Sequence, residues 1–403
     1  MSSSNVSNSS ASKITLPPLS LYIHVPWCVR KCPYCDFNSH EFKGKSAEET
    51  IPEAEYVQAL LDDLETDLAY VQGREIQTIF IGGGTPSLLS VEAYKNLLAG
   101  LQKKVSFVKD IEITMEANPG TFEAEKFAGY RKLGINRLSI GVQSFADHQL
   151  KHLGRIHNGQ QAVTAIRMAK EAGFDNFNID LMHGLPDQSQ AQALADIQQA
   201  IDLGPTHLSW YQLTIEPNTE FFKRPPVLPE DETLWDIQEA GQALLTQHGF
   251  VQYEVSAYAQ EGKQATHNLN YWQFGDYLGI GAGAHGKVTD LVNTPKSLTA
   301  SSVFRTWKTR APKDFLNADK NFLAGSESIQ NEDLGLEFLM NALRLQNGFD
   351  LNLFEQRTGY PLMSISEGIT AAIEQELLIQ NGSQIRTSAK GSLFLNEILG
   401  LFM

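Results

Sequence analysis

The fourteen residues HVPWCVRKCPYCDF, from His24 to Phe37, contain every cysteine of this 403-residue chain. Cys28, Cys32 and Cys35 are separated by three residues and then by two. This arrangement excludes a disulfide framework and is typical of thiolates that converge on one metal centre. Three thiolates are one fewer than a closed four-ligand site needs. Either another side chain completes the site, or one coordination position stays open for a ligand.

Two metal centres fit this spacing, and simple burial is the third interpretation. A zinc ion would need a fourth ligand, for which the nearby candidates are His24, Asp36 and His40. A [4Fe–4S] cluster would use the thiolates on three irons and leave the fourth iron exchangeable. Buried structural cysteines are common, but burial does not explain why all three cluster in one loop. The flanking aromatic residues favour iron because such a shell limits access of solvent and oxygen: Tyr22, Trp27, Tyr34 and Phe37.

The overall charge argues against two classes of partner. Lys and Arg total 32 and Asp and Glu total 47, which gives a net charge of −15 and a pI near 5.1. Nucleic acids and anionic membranes require a basic surface, so neither is expected as a general partner. No apolar run approaches the length of a bilayer span. Unpaired cysteines together with the absence of an export signal predict a reducing cytoplasmic location.

Short β-rich runs alternate with amphipathic helical patterns from about residue 21 to residue 283. Such alternation predicts a parallel sheet, and six or more units predict an α/β fold with a complete or partial (β/α) barrel. Two later runs, Val251–Ser256 and Leu278–Gly281, are candidates to extend the sheet. The predicted barrel strands are Leu21–Val25, Thr78–Ile81, Ile111–Met115, Arg137–Val142, Asn176–Leu181 and His207–Leu213.

The sequence predicts four segments. Residues 1–16 are rich in Ser and Asn and are expected to be a disordered tail. Residues 17–290 form the barrel core, and residues 291–330 are a linker or extension. Residues 331–403 are expected to form a small, mainly helical domain of winged-helix kind, with a short hairpin near 385–394. No recognisable chemistry lies in this last segment.

Polar residues and glycines follow the predicted strands at the ends where barrel proteins place their chemistry. The cysteine loop follows the first strand, and the second strand ends in the run Gly82–Pro86, GGGTP. A run of this kind is a tight connecting turn as often as it is a ligand-binding loop, because glycine adopts positive φ angles. The next three strands end in polar groups: Glu116 and Asn118, Gln143 and Ser144, and Asp180.

These groups fit one kind of ligand. Glycines allow close backbone approach, and Glu116 is placed to accept hydrogen bonds from ribose hydroxyls. Gln143, Arg155 and Asp180 supply further donors and acceptors. An amino-acid head attached to a ribose describes S-adenosylmethionine (SAM), whose amino and carboxylate groups would chelate the open iron.

A second group is the run His267-Asn268-Leu269-Asn270-Tyr271-Trp272. On composition alone, a single histidine among aromatic residues is more typical of a hydrogen-bonded packing residue than of a metal ligand. Tyr271 and Trp272 have flat apolar faces that suit contact with a planar ligand.

Taken together, the motifs identify a family. The combination of C-x3-C-x2-C on the first loop and GGGTP on the second resembles the radical SAM superfamily. More narrowly, the sequence resembles the oxygen-independent coproporphyrinogen III oxidase family and, within it, the HemW-type heme chaperones. The stretches that carry this resemblance are LYIHVPWCVRKCPYCDF (21–37), IFIGGGTPS (79–87), EANP (116–119), RLSIGVQSF (137–145), LGRIH (153–157) and NIDLMHGLP (178–186).

The resemblance implies a partial barrel of radical SAM type that holds a [4Fe–4S] cluster on Cys28, Cys32 and Cys35. It also implies nine SAM contacts, of which the one at Tyr34 is made through the backbone. These contacts are Tyr22, Tyr34, Gly83, Gly84, Thr85, Glu116, Gln143, Arg155 and Asp180.

The resemblance further implies that the run at 267–272 contacts heme, because HemW-type chaperones carry an HNxxYW stretch. The implied heme residues are His267, Asn268, Tyr271 and Trp272. The implied function is to carry heme to an acceptor protein, such as a respiratory enzyme. Whether the chain is also an enzyme is left open by the sequence.

One departure separates this chain from the decarboxylating members of the family, which have a further cysteine two residues after the third. Phe37 occupies that position here. The substitution puts decarboxylation of coproporphyrinogen III in doubt, so the carrier function is favoured and the decarboxylase is the alternative.

Overall fold

The computed structural model describes residues 14–42, 50–121, 124–292 and 300–403. Residues 1–13 of the predicted tail lie outside this set. Within it, the backbone N–H of Thr15 donates to the carbonyl of Gln356 at 3.1 Å. The end of the predicted tail therefore contacts the C-terminal part of the chain.

The described part of the chain contains seventeen strands, most of them in one sheet. In chain order they are β1 (Leu19–Val25), β2 (Trp27–Cys28), β3 (His40–Glu41), β4 (Ile76–Gly83), β5 (Phe107–Ala117), β6 (Arg137–Gln143), β7 (Phe177–His183), β8 (His207–Gln212), β9 (Val251–Glu254), β10 (Ala257–Ala259), β11 (Asp276–Ile280), β12 (His285–Thr289), β13 (Ala300–Lys308), β14 (Leu323–Gln330), β15 (Phe349–Asp350), β16 (Leu378–Asn381) and β17 (Gln384–Thr387).

The helices fall mostly between these strands. They are α1 (Glu53–Asp67), α2 (Val91–Lys104), α3 (Ala124–Lys132), α4 (Asp147–His152), α5 (Gly159–Glu171), α6 (Gln190–Asp202), α7 (Glu220–Lys223), α8 (Asp231–Gln247), α9 (Thr266–Trp272), α10 (Pro312–Phe315), α11 (Leu334–Ala342), α12 (Leu351–Thr358), α13 (Met363–Glu374), α14 (Ala389–Leu393) and α15 (Leu395–Gly400). No helix in these described ranges has the length and apolar character needed to cross a bilayer.

The large sheet has the strand order β14-β13-β12-β11-β1-β4-β5-β6-β7-β8-β10-β9. Parallel pairing joins six neighbouring strands of this sheet, which are β1, β4, β5, β6, β7 and β8. Strand β11 is also parallel to β1. The predicted partial barrel of α/β type is therefore confirmed. The two later runs also join the sheet, but β9 pairs antiparallel at one edge, whereas β11 lies beside β1.

Alternation along the barrel strands separates the core from the cavity. In β6, Leu138, Ile140 and Val142 are fully buried and belong to the main hydrophobic core. Arg137 and Ser139, at the intervening positions, line an interior cavity instead. The sheet therefore has one apolar face under its helices and one polar face toward the barrel interior.

The predicted linker or extension at 291–330 contains β13 and β14, which continue the large sheet as antiparallel strands. Residues 293–299 of this segment lie outside the described ranges.

The C-terminal segment has its own hydrophobic cluster, built on Phe338, Phe354, Ile369 and Ile385. A three-stranded sheet, β15-β17-β16, accompanies its helices. The predicted hairpin position was wrong by several residues, because β16 and β17 turn at Gly382, which has φ +62°, and residues 389–393 are helical. The cluster also includes Phe274, two residues after the end of α9. Helix α9 is therefore packed against the C-terminal segment.

Candidate functional site

The cysteine loop begins where β1 ends and is closed by backbone hydrogen bonds. The short strands β2 and β3 pair in parallel, with Cys28 opposite Glu41. The N–H of Cys35 donates to the carbonyl of Cys32 at 3.1 Å, which forms a tight turn. All three cysteine side chains are half-buried and line the same interior cavity. The structure therefore brings the three predicted ligands together.

The surroundings of the thiols affect their protonation. Burial raises the pKa of the Cys28 thiol, and hydrogen bonding to Thr85 partly opposes this. Burial also raises the pKa of Cys35, whose Sγ lies 3.5 Å from Ser39 Oγ. The guanidinium of Arg155 donates to Cys32 Sγ at 3.7 Å. Binding a metal at Cys28 and Cys35 therefore requires proton release, which the metal itself drives.

This arrangement suits an iron–sulfur cluster better than zinc. Thiolates on one zinc ion lie about 4 Å apart, since each Zn–S bond is about 2.3 Å. A zinc ion would also need a fourth ligand, for which His24, Asp36 and His40 are the nearby candidates in the sequence. His24 is also occupied, because Nδ1 bonds Tyr22 Oη at 3.0 Å and Nε2 bonds the Asn38 carbonyl at 2.9 Å. A cluster spreads its thiolates over three irons and needs no such convergence.

The GGGTP loop packs directly against the cysteine loop. Gly84 N–H donates to the Val25 carbonyl, and Thr85 N–H donates to the Trp27 carbonyl, both at 2.7 Å. A Cβ on Gly84 would lie 2.4 Å from the Trp27 carbonyl oxygen. Gly83 has φ +112°, and a Cβ there would meet the His24 ring at 2.5 Å. The glycines are required for this close approach, which places two ligand-binding loops side by side.

Two carboxylates line the cavity near these loops, Glu116 on β5 and Asp180 on β7, with β6 between the two strands. Glu116 Oε2 accepts from Gly83 N–H at 3.0 Å. Burial, and then the nearby Asp180 carboxylate, raise the pKa of Glu116 to about 7. Burial likewise raises the pKa of Asp180, against hydrogen bonds from Ser139 and Asn178. Both carboxylates therefore depend on surrounding donors to remain ionised.

Gln143 ends β6, between the strands that carry the two carboxylates, and Arg155 lines the same cavity. Gln143 has φ +71°, a left-handed conformation that is uncommon for a residue with a side chain. Tyr211 Oη donates to Gln143 Oε1 at 2.8 Å, and Arg155 donates to the Gly141 carbonyl at 2.6 Å. Tyr211 was missed in the sequence, although it alternates with His207 and Ser209 on the inward face of β8.

The cavity has a volume of about 510 Å³. Eight of the nine predicted SAM contacts lie in its wall; Tyr22 does not, because its ring packs against Phe80 and its hydroxyl bonds His24. We call the end near the cysteines the mouth, comprising Cys28, Cys32, Cys35, Gly83, Gly84, Thr85, Glu116, Gln143 and Arg155. We call the opposite end the floor, comprising Arg137, Asn178, His207, Asn268 and Trp272.

The predicted heme residues lie on α9, which closes the floor, and the structure divides them. Asn268 and Trp272 line the cavity. His267 is only 1% exposed, and both of its ring nitrogens are hydrogen-bonded. Nδ1 lies 2.7 Å from Thr78 Oγ1, and Nε2 lies 2.8 Å from Tyr271 Oη. In this conformation neither nitrogen is available to coordinate iron.

The sequence comparisons relate the chain to radical SAM proteins. The Radical SAM superfamily matches residues 22–200, and the HemN C-terminal domain matches residues 329–394. The chain is 53% identical to the heme chaperone HemW of Escherichia coli (strain K12), over 97% of this chain and 99% of that protein. It is 33% identical to the heme chaperone HemW of Bacillus subtilis (strain 168), over 95% and 99%.

Relatives occur outside bacteria, and the fold has a solved counterpart. The chain is 31% identical to the mitochondrial radical S-adenosyl methionine domain-containing protein 1 of Bos taurus, over 94% of this chain and 86% of that one. The structure of coproporphyrinogen III oxidase (HemN) from Escherichia coli matches with a TM-score of 0.78 at 22% identity. That match covers 97% of this chain and 91% of HemN, and at this identity it shows a shared fold.

Proposed function

We propose a function from one premise: this chain belongs to the HemW family of heme chaperones within the radical SAM superfamily. The proposed function is to bind heme and deliver it to an acceptor protein. The observation that carries the proposal is 53% identity over nearly the whole length to a heme chaperone. The alternative, decarboxylation of coproporphyrinogen III, is not favoured by the curated relatives and lacks the additional cysteine at position 37.

The resident cofactors are a [4Fe–4S] cluster and SAM. Cys28, Cys32 and Cys35 would hold the cluster, because all three line one cavity. When bound, the cluster supplies an iron with an open position for the amino and carboxylate groups of SAM. Arg155 holds the Cys32 side chain in place through its 3.7 Å hydrogen bond to the sulfur.

SAM binding is assigned to the mouth. Gly83, Gly84 and Thr85 hold the second loop against the cysteine loop, which leaves backbone groups close to the ligand. Glu116 accepts from the ribose hydroxyls when it is ionised. The remaining proposed contacts are Tyr34, through its backbone, Gln143, Arg155 and Asp180. Tyr22 acts from behind the wall by orienting His24.

Heme contact is assigned to α9. Asn268 and Trp272 face the cavity, and Tyr271 and Trp272 also line an adjoining space of about 160 Å³. Axial ligation by His267 requires that Thr78 or Tyr271 give up its hydrogen bond to the ring. The pKa of His267 is lowered to about 3, mainly by burial, so the ring is neutral and retains one nitrogen lone pair.

The acceptor, the compartment and the division of the chain complete the proposal. A cluster held by thiolates requires a reducing compartment, which supports a cytoplasmic location.

The chain divides into three working segments. Residues 17–290 carry the cofactor site, and residues 291–330 extend its sheet. Residues 331–403 support α9 through Phe274 and Phe338, whose ring centroids lie 5.6 Å apart. The acceptor protein is proposed to dock where it can receive heme from α9.

Anaerobic reconstitution followed by heme titration and porphyrin analysis tests this function. We expect iron and sulfide in the protein, saturable heme binding, and heme transfer to an apo-acceptor without conversion of coproporphyrinogen III. Stoichiometric formation of protoporphyrinogen with reductant and SAM would contradict the carrier function.

His267 needs two variants, because it also has a structural role. His267→Ala is expected to weaken heme retention while leaving cluster absorbance intact. His267→Gln keeps groups that can bond Thr78 and Tyr271 but supplies no imidazole. Heme loss in both variants supports ligation, and heme affinity unchanged in both would discard it. The control is His152→Ala, since His152 is exposed on α4.

A further inference from the structure

Arg137 is a buried cation without an anionic partner. It is the first residue of β6, is 2% exposed, and lines the floor of the cavity. Among the described residues, no carboxylate oxygen lies within 4 Å of its guanidinium nitrogens, and its Nε has no hydrogen-bond partner. A buried charge in this condition is destabilising, because the lost hydration is not replaced by a counter-charge. The position therefore favours an added anion.

The other two fully buried cations in the described ranges contrast with Arg137. Lys308 is 0% exposed and pairs with Asp63 at 2.6 Å and Asp67 at 2.8 Å. Lys287 is 3% exposed and pairs with Asp276 at 3.0 Å. The fold thus neutralises these two cations internally and leaves the one at the cavity floor unpaired.

The carboxylates nearest to the floor are already hydrogen-bonded through both oxygens. Asp180 accepts from Ser139 Oγ at 3.0 Å and Asn178 Nδ2 at 2.7 Å. Glu254 accepts from Ser256 N–H and from Arg344, both at 3.1 Å.

Glu112 is engaged in the same way, because its two oxygens accept from the N–H groups of Thr266 and His267 at the start of α9. None of these three acids forms an ion pair with Arg137, although the charge of Arg137 lowers the pKa of Asp180 slightly against the effect of burial. The acids around the floor therefore have other partners.

One further feature of the floor suits an anion. Trp272 Nε1 is buried without a hydrogen-bond acceptor, and Trp272 lines the cavity. The floor therefore offers a fixed guanidinium and a nearby N–H donor that the protein leaves unsatisfied.

We propose that the floor is a carboxylate-binding subsite built on Arg137, separate from the SAM contacts at the mouth. A planar carboxylate matches the paired donors of a guanidinium, which makes this the favoured anion. Arg137 and Gln143 stand at opposite ends of β6, about 20 Å apart for six residues of strand. The subsite therefore binds a second ligand rather than the carboxylate of SAM that faces the cluster.

The carboxylate has two possible sources. One is a propionate side chain of the heme cargo, and this source rests on the proposed heme function. The other is a small free organic acid that enters the cavity beside SAM, and this source is independent of that function. Either carboxylate would bind the same guanidinium, so the variant Arg137→Gln tests both sources.

The test compares wild-type, Arg137→Gln and Arg167→Gln proteins, each loaded with cluster and SAM. Arg167 is exposed on α5 and controls for the loss of one positive charge. Equilibrium dialysis measures binding of hemin and of hemin dimethyl ester, in which both propionates are blocked. Calorimetry measures binding of propionate and succinate. Loss of the charged pair at Arg137 is expected to lower the affinity of the ligand whose carboxylate binds there by about tenfold to a hundredfold.

Each outcome decides the proposal. Weaker hemin binding in Arg137→Gln with unchanged ester binding supports a propionate at the floor. Weaker binding of the small acids alone supports a free acid. If neither the hemin nor the small-acid affinity depends on Arg137, the subsite is overturned while the heme function stands. Failure of wild-type protein to bind hemin would contradict the heme function, and the small-acid measurements would still decide the subsite.

Arg137→Met provides a second test, which distinguishes a ligand-binding arginine from one with a purely structural role. Removal of an unpaired buried charge is expected to leave the Tm of the acid-free protein equal to or above that of wild type, while carboxylate binding falls. A lower Tm together with wild-type carboxylate affinity would overturn the subsite.

Discussion

The mouth and the floor of the cavity are built in different ways. The mouth consists of loops after the strands, and its shape depends on backbone hydrogen bonds and on glycines such as Gly83 and Gly84. The floor consists of side chains at the beginnings of strands and on α9, which interlock through buried hydrogen bonds such as those of His267. The mouth, built from loops, is thus assigned the cluster and SAM, whereas the floor combines the proposed heme and carboxylate contacts with buried hydrogen bonds that support the fold.

This difference separates the expected effects of mutation. Thiols and carboxylates at the mouth contribute little to packing, so their loss should remove ligands and spare the fold. A change at a hydrogen-bonded residue of this end, such as His267, leaves buried partners unsatisfied, so it should reduce stability even when no ligand is present, whereas removal of the unpaired charge of Arg137 should not.

The largest effect is expected at the mouth. Cys35→Ser should abolish cluster assembly, because a serine hydroxyl is a poor substitute for a thiolate and only two cysteines remain. The fold should persist, since Cys35 is half-buried and its Sγ contacts the Ser39 hydroxyl. Iron and sulfide analysis after anaerobic reconstitution measures cluster assembly, and circular dichroism measures whether the fold persists. Ser39→Ala is the matched control and should load normally, whereas wild-type iron content in Cys35→Ser would contradict the cluster assignment.

The next largest effect is expected at the floor. His267→Ala should lower the free energy of unfolding by about 2–4 kcal/mol, because it creates a cavity and leaves the hydroxyls of Thr78 and Tyr271 without their partner. Urea denaturation of the ligand-free protein measures the change. His152→Ala should stay within about 0.5 kcal/mol of wild type. A loss below 1 kcal/mol in His267→Ala would show that these buried hydrogen bonds do not support the floor.

The same contrast explains what the sequence could predict. The mouth was accessible because its residues lie in compact motifs at strand ends, and parallel strands bring those ends together whatever the remaining sequence does. The six barrel strands were found for a similar reason, since their alternation with helices is regular. Tyr22 is the predicted SAM contact that the structure does not place in the cavity wall, because strand parity alone does not show whether a side chain reaches the cavity or a neighbouring ring.

The floor could not be predicted in this way. His207 begins a strand and belongs to none of the quoted motifs, and Arg137 opens the stretch RLSIGVQSF without any role that the stretch itself indicates, so the roles of both depend on how α9 closes the barrel. The motif on α9 suggested a ligand at His267, yet the ring is held between Thr78 and Tyr271. Thr78 is 189 residues away in sequence. Such long-range partners are specified by the tertiary structure and leave no local pattern.

A smaller effect is expected from titration at the mouth. The pKa of Glu116 is raised to about 7, so the carboxyl group is mostly protonated below pH 7 and ionised above it. An ionised carboxylate accepts ribose hydroxyls more strongly, so SAM affinity should rise by about tenfold between pH 6 and pH 8. Glu116→Gln should bind SAM more weakly and with a flatter pH profile over this range.

Equilibrium dialysis with labelled SAM, on cluster-loaded protein, measures these profiles. Glu75→Gln removes an exposed carboxylate before β4 and should keep the wild-type profile. A wild-type rise that persists unchanged in Glu116→Gln would assign the titration to another group, of which Asp180 is the nearest with a raised pKa.

The smallest effect tests whether the mouth acts through its backbone. Tyr34→Phe should change SAM affinity by less than about twofold, because the assigned contact is made by the main chain and the lost hydroxyl receives only a 3.5 Å hydrogen bond from Arg155. Arg155 keeps its bonds to Gly141 and Cys32. Gly84→Ala is the matched backbone change and should weaken SAM binding far more, since its Cβ would lie 2.4 Å from the Trp27 carbonyl oxygen. Equal losses in the two variants would mean that side chains, as at the floor, determine binding at the mouth.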